Sequence, residues 1–163
     1  MAADRIQDWI DAERMDESLG MQALAVLAVR LHESGQQHQG AEVLAKVETL
    51  AGDDAEKLLW FADVARRLGA HAVADGIERA LLDEQRLHPE RVPDVVDRVL
   101  ETEGAGAALE VGEAAAAGTL HPKLLDILVG ASDNVGDGAR AAYWRAIKLL
   151  GAGAEVALKR GGK

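Results

Sequence analysis

Five histidines are the residues of this chain best suited to bind a metal or to move a proton near neutral pH: His32, His38, His71, His88 and His121. A zinc site on a helix places two histidines four residues apart beside a carboxylate, and no two of these histidines have that spacing. His88 and His121 each precede a proline, and they are separated by about the length of one sequence repeat, described below. That separation indicates two equivalent turns, which explains the pair better than a role as metal ligands does.

The carboxylates and glycines form no other catalytic or ligand-binding motif. The stretch 133–138 is similar to a calcium loop, but Val135 stands where an acceptor is needed and Trp144 where a bidentate Glu is needed. Gly104 and Gly106 lack the third glycine and the preceding strand of a dinucleotide-binding motif. The chain has no cysteine, and it contains no phosphate loop or nucleophile elbow. We therefore expect no enzyme activity, no cofactor and no bound metal.

Composition narrows the class of protein further. The 163 residues are 48% hydrophobic but only 3% aromatic, so small side chains must supply much of the packing, which favours closely spaced helices. A net charge of −10 argues against general nucleic-acid binding, because phosphate contacts need clustered cations. No apolar run approaches the ~18 residues needed to cross a bilayer, and residues 1–15 carry acids where a secretion signal needs a basic start. We expect a cytoplasmic protein that binds neither nucleic acid nor membrane.

The elements that must position any functional side chain are helices, since apolar residues run at helical spacing nearly throughout. A glycine follows an apolar helical stretch at four places: Gly35, Gly69, Gly104 and Gly136. The nearly constant interval between these glycines is typical of a solenoid built from one repeated element. We predict a single all-α domain over 1–163, with an N-terminal capping helix in 1–20, four antiparallel helical hairpins over 21–150 and a basic C-terminal tail at 151–163.

Local signals predict several helix boundaries. Asp53, with Glu56 three residues later, is expected to open the helix that contains Phe61 through a capping box. A helix over about 71–87 follows, and Pro93 suits the first turn of the next helix. The last strong helix covers about 139–150, and 154–159 is a weaker helical segment. The 139–150 helix carries Ala142, Tyr143, Ala146 and Leu149 among its apolar residues.

Small residues mark the two positions where paired helices should meet when each glycine is numbered as the fifteenth position of its repeat. These positions, the eighth and the twentieth, are Ala28 and Gly40 in the first repeat and Ala62 and Ala74 in the second. With large apolar residues at the seventh position, residues 21–150 resemble four tetratricopeptide repeats, more loosely in the third and fourth. The resemblance implies a superhelix with a groove lined by the first helix of each repeat. A closed helical bundle is the alternative, because Ala-rich helices with short loops also build bundles.

The resemblance also implies protein binding in that groove. Its positions in the first repeat are Gln22, Ala25, Val29, His32 and Glu33. In the later repeats the predicted partner-binding residues are Leu59, Trp60, Asp63, Arg66, Arg67, Arg98 and Lys123. The cations among them suit an acidic segment, but Asp63, Asp94 and Asp126 lie close by in sequence and would neutralise the field. Trp60 is either a binding anchor or packing between repeats. We expect a non-catalytic interaction module or adaptor that binds a segment of another protein.

An uneven charge distribution offers a second function. Residues 1–17 hold six acids against two arginines, whereas residues 139–163 hold six Lys and Arg against one Glu. The acidic end of one copy could meet the basic end of the next and form a head-to-tail, self-assembling structural subunit. Charges on solvated termini explain the same pattern without any partner. A helical-bundle enzyme or ligand-binding protein is the third alternative, but it needs convergent buried polar groups that the sequence does not show.

Overall fold

A computed structural model describes residues 2–12 and 15–161, with side chains over 2–8, 11–12 and 15–151. This described part contains nine α-helices, one 3₁₀ turn at Pro89–Arg91 and no β-strand. In chain order the helices are α1 (Ala2–Asp11), α2 (Glu17–Glu33), α3 (Gln37–Ala51), α4 (Ala55–Arg67), α5 (His71–Asp83), α6 (Val92–Glu103), α7 (Ala105–Ala116), α8 (Pro122–Asn134) and α9 (Gly138–Gly161). The all-α prediction is confirmed, and the arrangement of hairpins into a solenoid stays a prediction.

Adjacent helices pack in pairs within two compact units. These are Met1–Glu78, the N-terminal unit, and Arg79–Lys163, the C-terminal unit, with the boundary inside α5. In the N-terminal unit α2 packs against α1 and α3, and α3 packs against α4. In the C-terminal unit α6 packs against α7 and α8, α7 against α8, and α8 against α9. Since only three residues separate α2 from α3 and α8 from α9, each of these packed pairs runs antiparallel.

The four glycines that punctuate the sequence lie at turns between consecutive helices. Gly35, Gly69, Gly104 and Gly136 have φ angles between 76° and 93°, which side chains with a Cβ rarely adopt. After α2, α4 and α8 the glycine N–H bonds to the carbonyl three residues back, and the next N–H bonds five residues back. This Schellman arrangement satisfies the last carbonyls of each helix. Gly104 differs, because its own N–H bonds to the carbonyl of Val99 and α7 begins at the next residue.

Small residues let the helices of the N-terminal unit approach closely. Ala28, Ala62 and Ala74, all predicted at positions of close approach, are completely buried. A Cβ on Gly40 would lie 3.2 Å from the carbonyl oxygen of Ala28, so α3 rests directly on the backbone of α2. Phe61 is the largest completely buried side chain in the described residues. The predicted packing by small residues is therefore confirmed in this unit.

The C-terminal unit reaches the same close packing at a residue that the repeat pattern does not mark. Leu109 stands at the position predicted to be small in the third repeat, and it is a buried core residue. The close approach falls instead on Gly112. A Cβ there would lie 2.7 Å from Cδ2 of Leu128 on α8 and 3.2 Å from Cγ1 of Val96 on α6. α7 thus sits against both neighbouring helices at a residue without a side chain.

Three predicted boundaries are wrong. Asp54, not Asp53, caps α4, because its carboxylate accepts two backbone N–H bonds of the first turn at 2.9 and 3.1 Å. α5 ends at Asp83 rather than near 87, because Gln85 adopts a φ of 58° and turns the chain. The last helix is not interrupted after residue 150 and continues as α9 to Gly161. Each error concerns where a helix begins or ends, so the order of the helices is unaffected.

Candidate functional site

A groove on the N-terminal unit brings three of the predicted binding residues together. Trp60, Asp63 and Arg67 of α4 line it on one side. They occupy this face because the sequence of α4 commits Phe61 and Ala62 to the core, where both are buried. The neighbouring face of this amphipathic helix then carries Trp60, Asp63 and Arg67, which are spaced three and four positions apart.

The opposite wall of the groove is α2. Its lining residues recur along one helix face: Gln22, Ala25, Val26, Val29, Arg30 and Glu33. Of the predicted positions of the first repeat, only His32 is missing from this set. Val26 and Arg30, together with Val64 on α4, are groove residues that the sequence prediction missed. Val26 occupies the position in the first repeat that Trp60 occupies in the second, so the prediction for Trp60 could have been extended to it.

The two walls run in the same direction. At one end Nζ of Lys57 lies 3.4 Å from Oε1 of Glu17, and both residues are in the first turn of their helices. At the other end Glu33 and Arg67, the last residues of α2 and α4, line the same groove. The groove encloses about 560 Å³ and is open to solvent. The longer wall, residues 22–33 of α2, gives the groove a length of about 17 Å.

The middle of the groove is apolar and only partly covered. Val26 is 60% exposed, and Val29, Trp60 and Val64 are half-buried. Trp60 and Val64 pack against the core of the N-terminal unit, while they also line the groove. The position of Trp60 is therefore compatible with both predicted roles, packing and binding.

Near the C-terminal ends of α2 and α4, some charged side chains form ion pairs and one, that of Arg67, does not. Nη1 of Arg30 lies 3.2 Å from Oε2 of Glu33 in an exposed ion pair. Asp63 also has an interaction partner. Arg67 is exposed and forms no ion pair with any residue that the structure describes. Its guanidinium donors are thus available to a carboxylate from outside the chain.

Leu59 and Arg66, also predicted as binding residues, are placed differently. Leu59 is half-buried and does not line the groove. Arg66 points to α5, where Nη2 donates to Oδ1 of Asp75 at 2.9 Å and to Oε2 of Glu78 at 2.7 Å. Glu78 is only 4% exposed, and a buried carboxylate is costly without a cation beside it. Arg66 therefore neutralises an acid of its own unit.

Arg98 and Lys123, the remaining two predicted residues, belong to the C-terminal unit. Nζ of Lys123 donates to Oδ1 of Asp94 at 2.5 Å, which joins the first turns of α8 and α6. This bond lowers the pKa of Asp94 and raises the pKa of Lys123, and the charge of Arg98 lowers the pKa of Asp94 further. The predicted neutralisation of this cation by a neighbouring aspartate is thus seen in the structure.

The charged ends of the chain, which suggested head-to-tail assembly, are also engaged within their own units. Asp4 accepts a 2.9 Å hydrogen bond from Nζ of Lys46, and this bond lowers the pKa of Asp4. Three cations of α9 pair with acids of the C-terminal unit: Arg140 with Glu113, Arg145 with Asp133 and Lys148 with Asp126. The side chains of the predicted basic tail beyond residue 151 lie outside the described residues. Head-to-tail assembly therefore gains no support from the described charges.

Two of the five histidines, His88 and His121, cap helices at turns. Nδ1 of His88 and Nδ1 of His121 each accept the backbone N–H two residues later, at 3.3 and 3.2 Å, so the predicted turn role of the two His-Pro pairs is confirmed. In the stretch compared with a calcium loop, Asp137 instead accepts the N–H of Arg140 at 2.9 Å. Within the described side chains, no three His, Asp or Glu residues are placed to hold a metal ion.

No helix of the described chain combines the length and the apolar character that a membrane span requires. Comparison with protein-family models, curated proteins and solved structures finds no significant match to the chain. Function must therefore be inferred from the shape and the charges of the groove.

Proposed function

We propose that this chain is a non-catalytic protein-binding module whose groove between α2 and α4 binds one amphipathic helix of another protein. One observation carries the proposal: the groove combines apolar side chains, the exposed Val26 and the half-buried Trp60, with a cation, Arg67, that has no ion pair among the described residues. Amphipathic helices bind such grooves through apolar anchors at i, i+3, i+4 and i+7.

The walls of the groove favour a helix over other ligands. Both walls are α-helices whose backbone groups are bonded internally, so they offer no sheet edge to an extended peptide. A small polar ligand would need convergent buried polar groups, whereas the charged lining residues Arg30, Glu33 and Arg67 are exposed. A helix about three turns long would match the length of about 17 Å.

The charges suggest an orientation for the partner helix. The C-terminal ends of α2 and α4 carry the negative ends of their helix dipoles, and Arg67 is the last residue of α4. A partner helix that runs antiparallel to both walls would bring its positive N-terminal end to this place. An acidic residue in its first turn would then reach the guanidinium of Arg67.

We also infer that the hairpins form a tetratricopeptide-like solenoid. The shared turn geometry at Gly35, Gly69 and Gly136 supports this inference. The parallel first helices support it as well, since Glu17–Lys57 joins the starts of α2 and α4, and Asp94–Lys123 joins the starts of α6 and α8. In such an array the groove would be lined by first helices, as α2 and α4 line it here.

A display selection of randomised amphipathic helices against the whole chain tests the proposal. Val26→Arg places a charge in the groove, and Val73→Arg is the matched control, because Val73 is a 42% exposed valine of the same unit outside the groove lining. We expect the selected peptides to lose at least about tenfold in affinity for Val26→Arg, which is about 1.4 kcal/mol. We expect Val73→Arg to change their affinity by less than about twofold.

A charge exchange tests the orientation. Arg67→Glu should weaken a peptide that carries an acid in its first turn, and replacement of that acid by Lys should restore the binding. If no helix is enriched, or if the enriched peptides bind the Val26→Arg and Val73→Arg variants equally well, the groove is not the binding site and the proposal is wrong.

A further inference from the structure

Between residues 142 and 150, the outer face of α9 is apolar and exposed. Five of its residues lie on the surface: Ala142, Tyr143, Ala146, Leu149 and Leu150. The three large side chains, Tyr143, Leu149 and Leu150, are 56%, 73% and 71% exposed. The inward side of the helix is formed instead by Ala141 and Trp144, which are buried. The apolar residues predicted for this helix therefore lie mainly on its outer side.

This exposed face is as wide as one that normally meets a core. At 100° per residue the five side chains fall within an arc of about 120°, and a width above about 100° is typical of the core-facing stripe of a helix. Trp144 already anchors the opposite side, where its Nε1 donates to Oε1 of Glu113 at 3.1 Å. α9 is thus apolar on two sides, and only one of them is covered by its own unit.

The edge of this face toward α8 is electrically neutral. Arg145, which borders the face, lies 2.5 Å from Asp133, and Lys148, farther round the helix, pairs with Asp126. All four side chains are about half exposed. A strongly charged partner would find no net charge here to complement. A second copy related by a twofold axis would present the same paired charges, so no unpaired like charges would meet in a symmetric contact.

We propose that this face of α9 is a self-association surface that packs, antiparallel, against the same face of a second copy, with the twofold axis at Ala146. Tyr143 and Leu149 stand three residues before and after Ala146, and Ala142 and Leu150 stand four residues before and after it. The axis therefore places the small Ala142 opposite the large Leu150 of the second copy. The two Ala146 residues then define the closest approach of the helices.

The area of the face sets the strength of this contact. If a large apolar side chain offers about 150–200 Å², the exposed fractions of Tyr143, Leu149 and Leu150 amount to about 350 Å² per copy. Patches of that size on monomers are often functional. A dimer would bury about 700 Å² from these side chains, which is less than the ~1,200 Å² of stable interfaces and falls in the range of weak, transient contacts. We therefore expect a reversible, concentration-dependent dimer.

Cysteine cross-linking tests the geometry, because the chain has no cysteine of its own. Ala146→Cys should form a disulfide-linked dimer on mild oxidation, since residue 146 would face itself across the axis. Leu120→Cys is the control, because Leu120 is a 58% exposed residue of the same unit outside α9. Ala142→Cys mixed with Leu150→Cys should cross-link as a pair far more than either does alone. Self-linking of each variant alone would instead indicate parallel helices and overturn the arrangement.

The mass in solution tests the association itself. Over a concentration series the wild-type chain should rise from 17.3 kDa toward twice that mass. Leu149→Arg should weaken the dimer at least tenfold, and Leu120→Arg should leave it within about twofold. About 0.5 M NaCl should not weaken an apolar contact between two acidic chains. It should dissociate an ionic head-to-tail contact, because salt screens the charges. A monomer at all concentrations, or equal effects of the two arginine variants, would overturn the proposal.

Discussion

Gly112 and Gly130 are both interior helix glycines of the C-terminal unit, and we expect alanine to have opposite effects at the two positions. Alanine is the better helix former by about 1 kcal/mol. A Cβ at Gly130 would have no heavy atom within 4 Å, so Gly130→Ala should raise the free energy of unfolding by up to about 1 kcal/mol. A Cβ at Gly112 would lie 2.7 Å from Leu128 Cδ2 and 3.2 Å from Val96 Cγ1.

The contact at Gly112 is costly to relieve. Both distances are shorter than an ordinary carbon contact of about 3.5–4.0 Å. Leu128 and Val96 are completely buried, so neither side chain can move into solvent. Overpacking a filled core costs about 1–3 kcal/mol, and the gain in helix propensity offsets about 1 kcal/mol of it. Gly112→Ala should therefore destabilise the protein by up to about 2 kcal/mol. The two variants should differ by about 1–3 kcal/mol, because the propensity term cancels between them.

Urea unfolding followed by circular dichroism measures the free energy of each variant. Leu128→Val removes the Cδ atom that the new methyl group would meet. In the Leu128→Val background Gly112→Ala should therefore cost at least about 0.5 kcal/mol less than in the wild type. The reasoning is refuted if Gly112→Ala stabilises the protein as much as Gly130→Ala does, because α7 would then not approach α6 and α8 so closely.

Two further predictions concern ion pairs. Arg66→Met should lower the free energy of unfolding by about 2 kcal/mol, because it removes the cation 2.7 Å from the buried carboxylate of Glu78. Arg67→Met, at the adjacent exposed residue, should change it by less than about 0.5 kcal/mol, and equal losses in urea unfolding would contradict the assignment. Lys123→Gln should raise the pKa of Asp94 toward its ordinary value, because the hydrogen bond from Lys123 is what chiefly lowers it. In the wild type this pair stabilises the fold above the ordinary aspartate pKa and loses that contribution as the pH falls through the lowered pKa. An NMR titration of the Asp94 carboxyl measures the shift, and an unchanged value in Lys123→Gln would count against the pair.

The sequence predicted the turns well because the requirement at a turn is local. A helix that ends in the left-handed region favours glycine whatever packs around it. The spacing of Gly35, Gly69, Gly104 and Gly136 therefore located four real turns. Gln85 shows the limit of this signal. It adopts a positive φ without being glycine, so no residue type marked the end of α5, and the predicted helix ran on too far.

Close packing was predictable only where it followed the repeat pattern. Ala28 and Gly40 meet as expected because both occupy equivalent positions of paired helices. Gly112 stands three residues after the expected position, where Leu109 belongs to the core instead. Which of two neighbouring residues faces another helix depends on the rotation of α7 about its axis, and that rotation is set by the partners Val96 and Leu128.

The sequence predicted which helix face carries the candidate binding residues. It did not predict which acids pair with them. Trp60, Asp63 and Arg67 line the groove. They could be predicted because the repeat pattern indicates which side of α4 is not packed in the core. The pattern carries no information about acids on other helices. Arg66 is engaged by α5, and Lys123 is engaged by an aspartate 29 residues earlier. Such pairs depend on the relative placement of helices, which only the structure supplies.

The excess of acids makes a cation without an ion pair informative, and Arg67 is one of these in the described chain; Arg5, which does not line the groove, is another. The chain has 28 Asp and Glu against 18 Lys and Arg, so a cation on this surface has many acids with which to pair. Arg66, Lys123 and Arg145 are each engaged in this way within their own units. Arg67 lines an apolar groove and has no such ion pair in the described chain. An arginine that stays exposed beside Trp60 in so acidic a chain contributes little to the fold. In the function proposed above, this arginine would instead pair with a carboxylate that another protein brings to the groove.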